Sequence, residues 1–237
     1  MPGSTMLRYL EHMRWESAKD PDVNLATMFE DDHRMVVRAQ QLEMEAAVGL
    51  EEDLEISLEL GHIGHASMDM VHEVVRTADR KRMARAVVTA VHLNPAWRPH
   101  PIPDHVRALV PPRPRLMLVQ PPAPREAPVA WSRSLTVVPS DLDLFRHVNH
   151  ARYLDYFDDT RRMGAADRGF GAASDVAGGP LLRASLDYRR QTLGGDVVTI
   201  SSWLLSETGD ALGLEMRRDG EVLARCRLDV RAPRPRG

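Results

Sequence analysis

Hydrophobic and polar positions alternate along four consecutive runs in the C-terminal part of the chain, the period expected of β-strands. They are Leu181 to Leu193, Asp196 to Glu207, Ala211 to Arg218 and Glu221 to Ala232. Their separators are Gly194-Gly195, Thr208-Gly209-Asp210 and Asp219-Gly220, residues that tolerate positive φ, so the runs predict an antiparallel meander joined by tight hairpins. Ahead of the meander, Ser132 to Val138 alternates as one more strand. Asn149 to Arg168 has helical spacing, with Tyr153, Tyr156, Phe157 and Met163 on one side. Asp141 to His147 forms the turn between strand and helix, and Gly169 to Gly179 reads as a mobile loop beside the helix end.

The same order recurs upstream without its first strand. A helix is predicted from about Met6 to Ala18, followed by strands at Met35 to Glu45, Leu54 to Ile63, Ala66 to Thr77 and Met83 to Leu93. The local text repeats as well. Arg8-Tyr9-Leu10-Glu11 echoes Arg152-Tyr153-Leu154-Asp155 at an offset of 144, and Val37-Arg38-Ala39 echoes Leu182-Arg183-Ala184 at 145, which points to internal duplication. A helix followed by a meander buries one sheet face against that helix, an α+β layer. Two such repeats joined at their edges would form a pseudo-dimer within one chain and cover exposed edge strands.

Eleven of the 17 prolines fall between Pro95 and Pro128. Such density removes backbone donors and favours extended conformations. The expected division is a first repeat over residues 1–110, a Pro-rich linker over 111–130 and a second repeat over 131–237.

Composition narrows the function classes. With 43% hydrophobic and 27% charged residues and no apolar run near the roughly 20 residues of a bilayer span, the chain reads as globular, with no membrane as partner. His12, Glu11 and Arg14 interrupt the N-terminus where a secretory signal needs apolar residues, so a cytoplasmic location is expected. A net charge of −3 offers no basic field for nucleic acid. The single cysteine, Cys226, excludes an internal disulfide, and its alternating strand context places it in a core.

The densest polar constellation is Ser140-Asp141-Leu142-Asp143-Leu144-Phe145-Arg146-His147-Val148-Asn149-His150, leading into Ala151-Arg152-Tyr153. A carboxylate at a strand-to-helix turn sits beside helix N-terminal amides that can polarise a carbonyl and hold an oxyanion. This stretch resembles the signature Asp-x-Asp-x-x-(Gly or Gln)-His-Val-Asn-Asn-x-x-Tyr of hotdog thioesterases, shared by 4-hydroxybenzoyl-CoA-type enzymes and the catalytic half of plant-type acyl-ACP thioesterases. Ser185-Leu186-Asp187-Tyr188-Arg189-Arg190-Gln191 is similar to the strand of the plant-type enzymes that reads Leu-Glu-Tyr-Arg-Arg-Glu. Phe145 stands where those enzymes have asparagine, Arg146 where the signature has glycine or glutamine, and Gln191 where they have glutamate.

The resemblance implies a double hotdog of class α+β, its first repeat lacking the first strand and catalytically incomplete. It implies a thioesterase acting on acyl-CoA or acyl-carrier-protein thioesters without a cofactor or metal. Asp143 would attack the thioester or orient water, and His147 would position the water or the carboxylate. Asn149, His150 and Gln191 would line the substrate, with Asn149 also a favoured helix N-cap. The reading from another class is a non-hydrolytic acyl-thioester sensor, and a hotdog dehydratase is a weaker one.

Other candidates have plainer explanations. Gly61-His62-Ile63-Gly64-His65 and His72 fit no compact zinc spacing, and Gly64-His65-Ala66-Ser67-Met68 is not a nucleophile elbow. Arg161-Arg162 and Arg189-Arg190 read first as solvated, with CoA or phosphopantetheine phosphate as the alternative use. Assembly beyond the pseudo-dimer, such as a homo-oligomer, is left open.

Overall fold

A computed structural model describes residues 1–21, 25–123 and 129–232. The chain folds into two compact units, Met1–Leu118 and Val119–Gly237.

In the first unit, helix α1 (Gly3–Ala18) precedes a 3-10 segment (Leu25–Asp32) and strands β1 (Arg34–Met44), β2 (Leu54–Ile63), β3 (Ser67–Arg76) and β4 (Arg82–Leu93). A short helix α2 (Asp104–Arg107) follows. The strands lie in the order β2-β3-β4-β1, all antiparallel. Met6, Leu7 and Leu10 recur at helical spacing and are buried from α1, as are Met70, Val74, Ala86 and Leu42 from the strands. Each such side chain taken from water contributes about 1.5–3 kcal/mol. Beyond α2 the described part of the Pro-rich stretch has neither helix nor strand, as its missing donors require. Residues 111–118 nevertheless lie against the unit: His62 Nδ1 donates to the Arg113 carbonyl at 2.7 Å, and the Leu116 amide donates to Asp69 at 3.3 Å. Residues 124–128 of the expected linker lie outside the described residues.

The second unit contains β5 (Trp131–Thr136), a 3-10 turn (Pro139–Asp141), helix α3 (His150–Ala166), a short helix α4 (Ser174–Ala177), and strands β6 (Leu181–Tyr188), β7 (Val197–Leu204), β8 (Ala211–Arg218) and β9 (Glu221–Val230). Its strand order is β6-β9-β8-β7-β5. Without β5 this is the order of the first unit, so the repeated text marks a repeated topology. A register shift falls at the echoed residues in both repeats, between Val37 and Ala39 in β1 and between Leu181 and Arg183 in β6. Asp219 and Gly220 take φ of 49° and 83°, the left-handed pair that an Asp-Gly hairpin demands.

Three expectations need correction. Met163 is half exposed, and the buried face of α3 is completed instead by Leu154, Thr160, Arg161 and Gly164. The strand expected to run to Leu193 ends at Tyr188, because the amides of Arg189 and Arg190 both turn to the Leu223 carbonyl at 2.8 and 3.1 Å. Gly169 to Gly179 is a packed helical segment rather than a mobile loop. Phe170, Ala173, Ser174 and Ala177 are buried, and Gly179 approaches the Arg231 carbonyl so closely that a Cβ there would stand 2.0 Å from it.

Histidines in the first unit make its stability pH-dependent. His72 on β3 is fully buried, neither ring nitrogen has a hydrogen-bond partner, and burial reinforced by the charge of Arg14 pushes its pKa down to about 3. Burial also lowers His92, whose ring centroid lies 5.2 Å from that of His33 and 5.3 Å from that of His100. Both folded pKa values lie below the unfolded one near 6.5. The unfolded chain therefore binds more protons below pH 6.5, and stability falls as pH drops from there toward 3. Urea unfolding at pH 7 and pH 4 is expected to show His72→Leu losing about 3 kcal/mol less than wild type over that interval. Equal losses would show that His72 is not held neutral.

Candidate active site

The loop from Val137 to His150 is built by its own backbone. Pro139 starts the 3-10 turn that ends at Asp141, and Asn149 then caps α3, its side chain accepting the Ala151 amide at 2.9 Å. Asn is favoured there because its oxygen replaces a missing intrahelical acceptor.

Asp141 and Asp143 differ completely in surroundings. Asp141 is buried and takes Tyr156 Oη at 2.6 Å, Arg152 Nε at 2.6 Å and the Val138 amide at 3.2 Å, while its carbonyl accepts the Asn149 amide at 2.9 Å. Burial alone raises its pKa, but these donors outweigh burial and hold the carboxyl below the usual range. It is a clamp joining the end of β5 to α3, with no oxygen left for chemistry.

Asp143 is half-buried. Its Oδ1 accepts the amides of Phe145 at 2.8 Å and His147 at 3.2 Å, and its own amide donates to the His147 carbonyl at 2.8 Å. One carboxylate oxygen thus shapes the loop, and the other takes no hydrogen bond from the described residues. The charge of Asp143 reaches Tyr153, a buried phenol on α3. Burial pushes that phenol up to about 12 against the hydrogen bonds of Thr192, with Asp143 and Asp196 adding to the rise, so it stays protonated.

Arg146 takes φ of 61°, the left-handed region where a Cβ is strained by about 1–2 kcal/mol. This explains glycine in the signature it resembles. Arg146→Gly is expected to raise the unfolding free energy by up to about 1 kcal/mol in a urea titration. A loss of that size would contradict the strain.

The structure brings Asp143, His147, Asn149 and His150 into one loop at the start of α3. The Val148 amide donates to the Thr192 carbonyl at 2.9 Å and His147 pairs with Leu193, while Gln191, the residue before Thr192, is exposed. The Tyr188 hydroxyl donates to the His150 carbonyl at 2.8 Å. The amides of Phe145, His147, Asn149, Ala151 and Arg152 donate within the loop and cap, and that of Val148 donates to the Thr192 carbonyl. What α3 offers an oxyanion is the positive end of a helix 17 residues long.

Each arginine of the two pairs has an acidic partner. Arg161 is wholly buried, donating to the carbonyls of Ala177 and Gly179 and to Asp158. Arg162 pairs with Asp158 at 2.7 Å, Arg189 with Asp187 at 2.8 Å and Arg190 with Glu221 at 2.9 Å. Among the described residues, no group of three or more His, Cys, Asp or Glu is arranged to hold a metal ion, and no helix is long and apolar enough to cross a membrane. Cys226 is completely buried, and burial raises its thiol well above the ordinary value.

Reasoning on sequence alone missed Thr192. It is fully buried and accepts the Tyr153 hydroxyl at 2.8 Å across a separation of 39 residues. Only the tertiary fold could reveal that contact.

The family model of the thioesterase-like superfamily matches residues 1–110 and 137–231, covering both helix-plus-meander repeats and the Asp143 loop. The chain belongs to this superfamily. Solved thioesterase structures share the double hotdog fold of this member. A putative oleoyl thioesterase from Lactobacillus plantarum superposes with a TM-score of 0.80 at 17% identity, covering 98% of this chain and 89% of that one. An acyl-ACP thioesterase from Bacteroides thetaiotaomicron gives 0.75 at 17% identity, with 97% and 89% covered. The 12:0-ACP thioesterase from Umbellularia californica gives 0.75 at 19%, with 96% and 89% covered. No curated protein sequence matches significantly. Thioester hydrolysis is the activity that superfamily membership supports.

Proposed function

We propose that this thioesterase-like protein hydrolyses acyl thioesters of coenzyme A or of an acyl carrier protein to free acid and thiol, in the cytoplasm and without a cofactor. The observation that carries the reading is the half-tied carboxylate of Asp143, fixed through Oδ1 by two loop amides beside the N-terminus of α3. The second oxygen either attacks the thioester carbon, giving an acyl-enzyme anhydride that water then hydrolyses to the free acid, or removes a proton from an attacking water. In both routes negative charge develops on the carbonyl oxygen near the positive end of α3. The thiolate leaves without a strong general acid. His147 positions the water or the carboxylate, and Asn149, His150 and Gln191 line the substrate.

Residues 131–237, which carry the Asp143 loop, are the catalytic repeat in this reading, joined to the first repeat, residues 1–110, by the linker 111–130. The ACP thioesterases among the solved relatives support a carrier-protein substrate, since they share the fold over nearly all of this chain.

The test is free-thiol release from a panel of acyl-CoA and acyl-carrier-protein thioesters by the purified full chain, with the free acid identified by mass. Turnover of either class is expected. Binding of the panel without thiol release would make the protein an acyl-thioester sensor and overturn the reading.

A further inference from the structure

Tyr153 and Thr192 form a buried polar pair beneath the Asp143 loop, and the chemistry above does not use it. The phenol donates to Thr192 Oγ1 at 2.8 Å, and both side chains are almost wholly buried. Tyr153 is braced by an edge-to-face contact with Tyr188, ring centroids 5.1 Å apart, and Tyr188 in turn holds the His150 carbonyl.

The main chain of Thr192 reaches the other way. Its carbonyl accepts the Val148 amide at 2.9 Å, and the next residue, Leu193, pairs with His147. Residues 191–193 have left the sheet, since β6 ends at Tyr188. Their height over α3 is therefore set by the loop on one side, by the Leu193 amide on Asp196 at 2.8 Å, and by the hydroxyl of Tyr153 beneath. The same His147 donates its amide to Asp143 Oδ1 at 3.2 Å.

We propose that the hydrogen bond between Tyr153 and Thr192 is a positioning device for the reaction. It holds residues 191–193 at the level where His147 and Val148 aim the second oxygen of Asp143. Neither residue touches substrate. A misplacement of about 1 Å at a reacting group lowers turnover about 100-fold, whereas deleting both partners of one buried hydrogen bond is nearly neutral for stability. The kinetic effect is thus expected to exceed the structural one.

This inference rests on the hydrolase reading, and the experiment separates the two. Thr192→Val, Thr192→Ser and the double variant Tyr153→Phe with Thr192→Val are compared with wild type for kcat, KM and melting temperature on one acyl-CoA and one acyl-carrier-protein substrate. The double variant removes both hydroxyls together and leaves only the Thr192 amide without the phenol oxygen it faces, so its melting temperature is expected to fall by only about 2–4 °C. Its kcat is expected to fall about 10- to 100-fold, with KM changed less than about 3-fold. Thr192→Ser, which keeps the acceptor, restores most of kcat. Wild-type kcat in a stable double variant would show that the bond serves packing alone and overturn the inference. If wild type itself releases no thiol, the hydrolase reading fails and takes this inference with it.

Discussion

Replacing Arg161 with methionine is expected to lower the unfolding free energy by about 3–5 kcal/mol, the usual cost of removing one partner from a buried ionic cluster. The guanidinium has no exposed surface. It satisfies the carbonyls of Ala177 and Gly179 and the carboxylate of Asp158, and burial lowers its pKa against the pull of that carboxylate. Methionine fills much of the volume but leaves two carbonyls without their donor and Asp158 with Arg162 as its remaining partner. Arg161→Lys is expected to recover only part of the loss, since a single ammonium cannot replace a planar fork serving three acceptors. Urea denaturation of the full chain measures both, and a change below about 1 kcal/mol for the methionine variant would contradict the assigned role.

The residue also marks where sequence reading stops. Arg161-Arg162 looks like any solvated pair on a helix, and nothing local distinguishes the two. The helical period puts Arg161 on the face with Tyr153, Tyr156 and Phe157, yet an arginine there is tolerable only because residues 174–179 fold back to supply carbonyls. The glycines of that segment suggested mobility, whereas Gly179 serves close packing against the Arg231 carbonyl.

Most of the architecture was legible for a physical reason. Alternation and helical spacing report burial on one face, and the Asp219-Gly220 hairpin reports local backbone geometry, so neither depends on distant residues. The correspondence between the two repeats was legible as well, because the duplicated text aligns α1 with α3. The end of β6 was not. Residues 189–193 alternate acceptably, and they leave the sheet because Leu223 takes two amides at once and Val148 needs the Thr192 carbonyl. In the site, the cap Asn149 was legible from spacing, while the different surroundings of Asp141 and Asp143 were not. They depend on Arg152 and Tyr156, one and two helical turns into α3, facing Asp141 alone.

Asp143→Asn is expected to lower kcat by about 100- to 10,000-fold, the range attributed to a positioned acid or base. The substitution keeps an oxygen to accept the amides of Phe145 and His147, so the loop retains its shape and the unfolding free energy changes little. What is lost is the second oxygen, replaced by an amide nitrogen that neither attacks nor takes a proton. Asp141→Asn acts differently: it weakens a clamp among Arg152, Tyr156 and Val138, and its first effect is on stability, about 2–3 kcal/mol.

Thiol release by wild type and by Asp143→Asn, assayed side by side on an acyl thioester that both proteins bind, tests the central claim most directly. The account predicts turnover by wild type and at least a 100-fold loss in a variant that binds and melts like wild type. Equal turnover by the two would show that the reacting carboxylate is not Asp143.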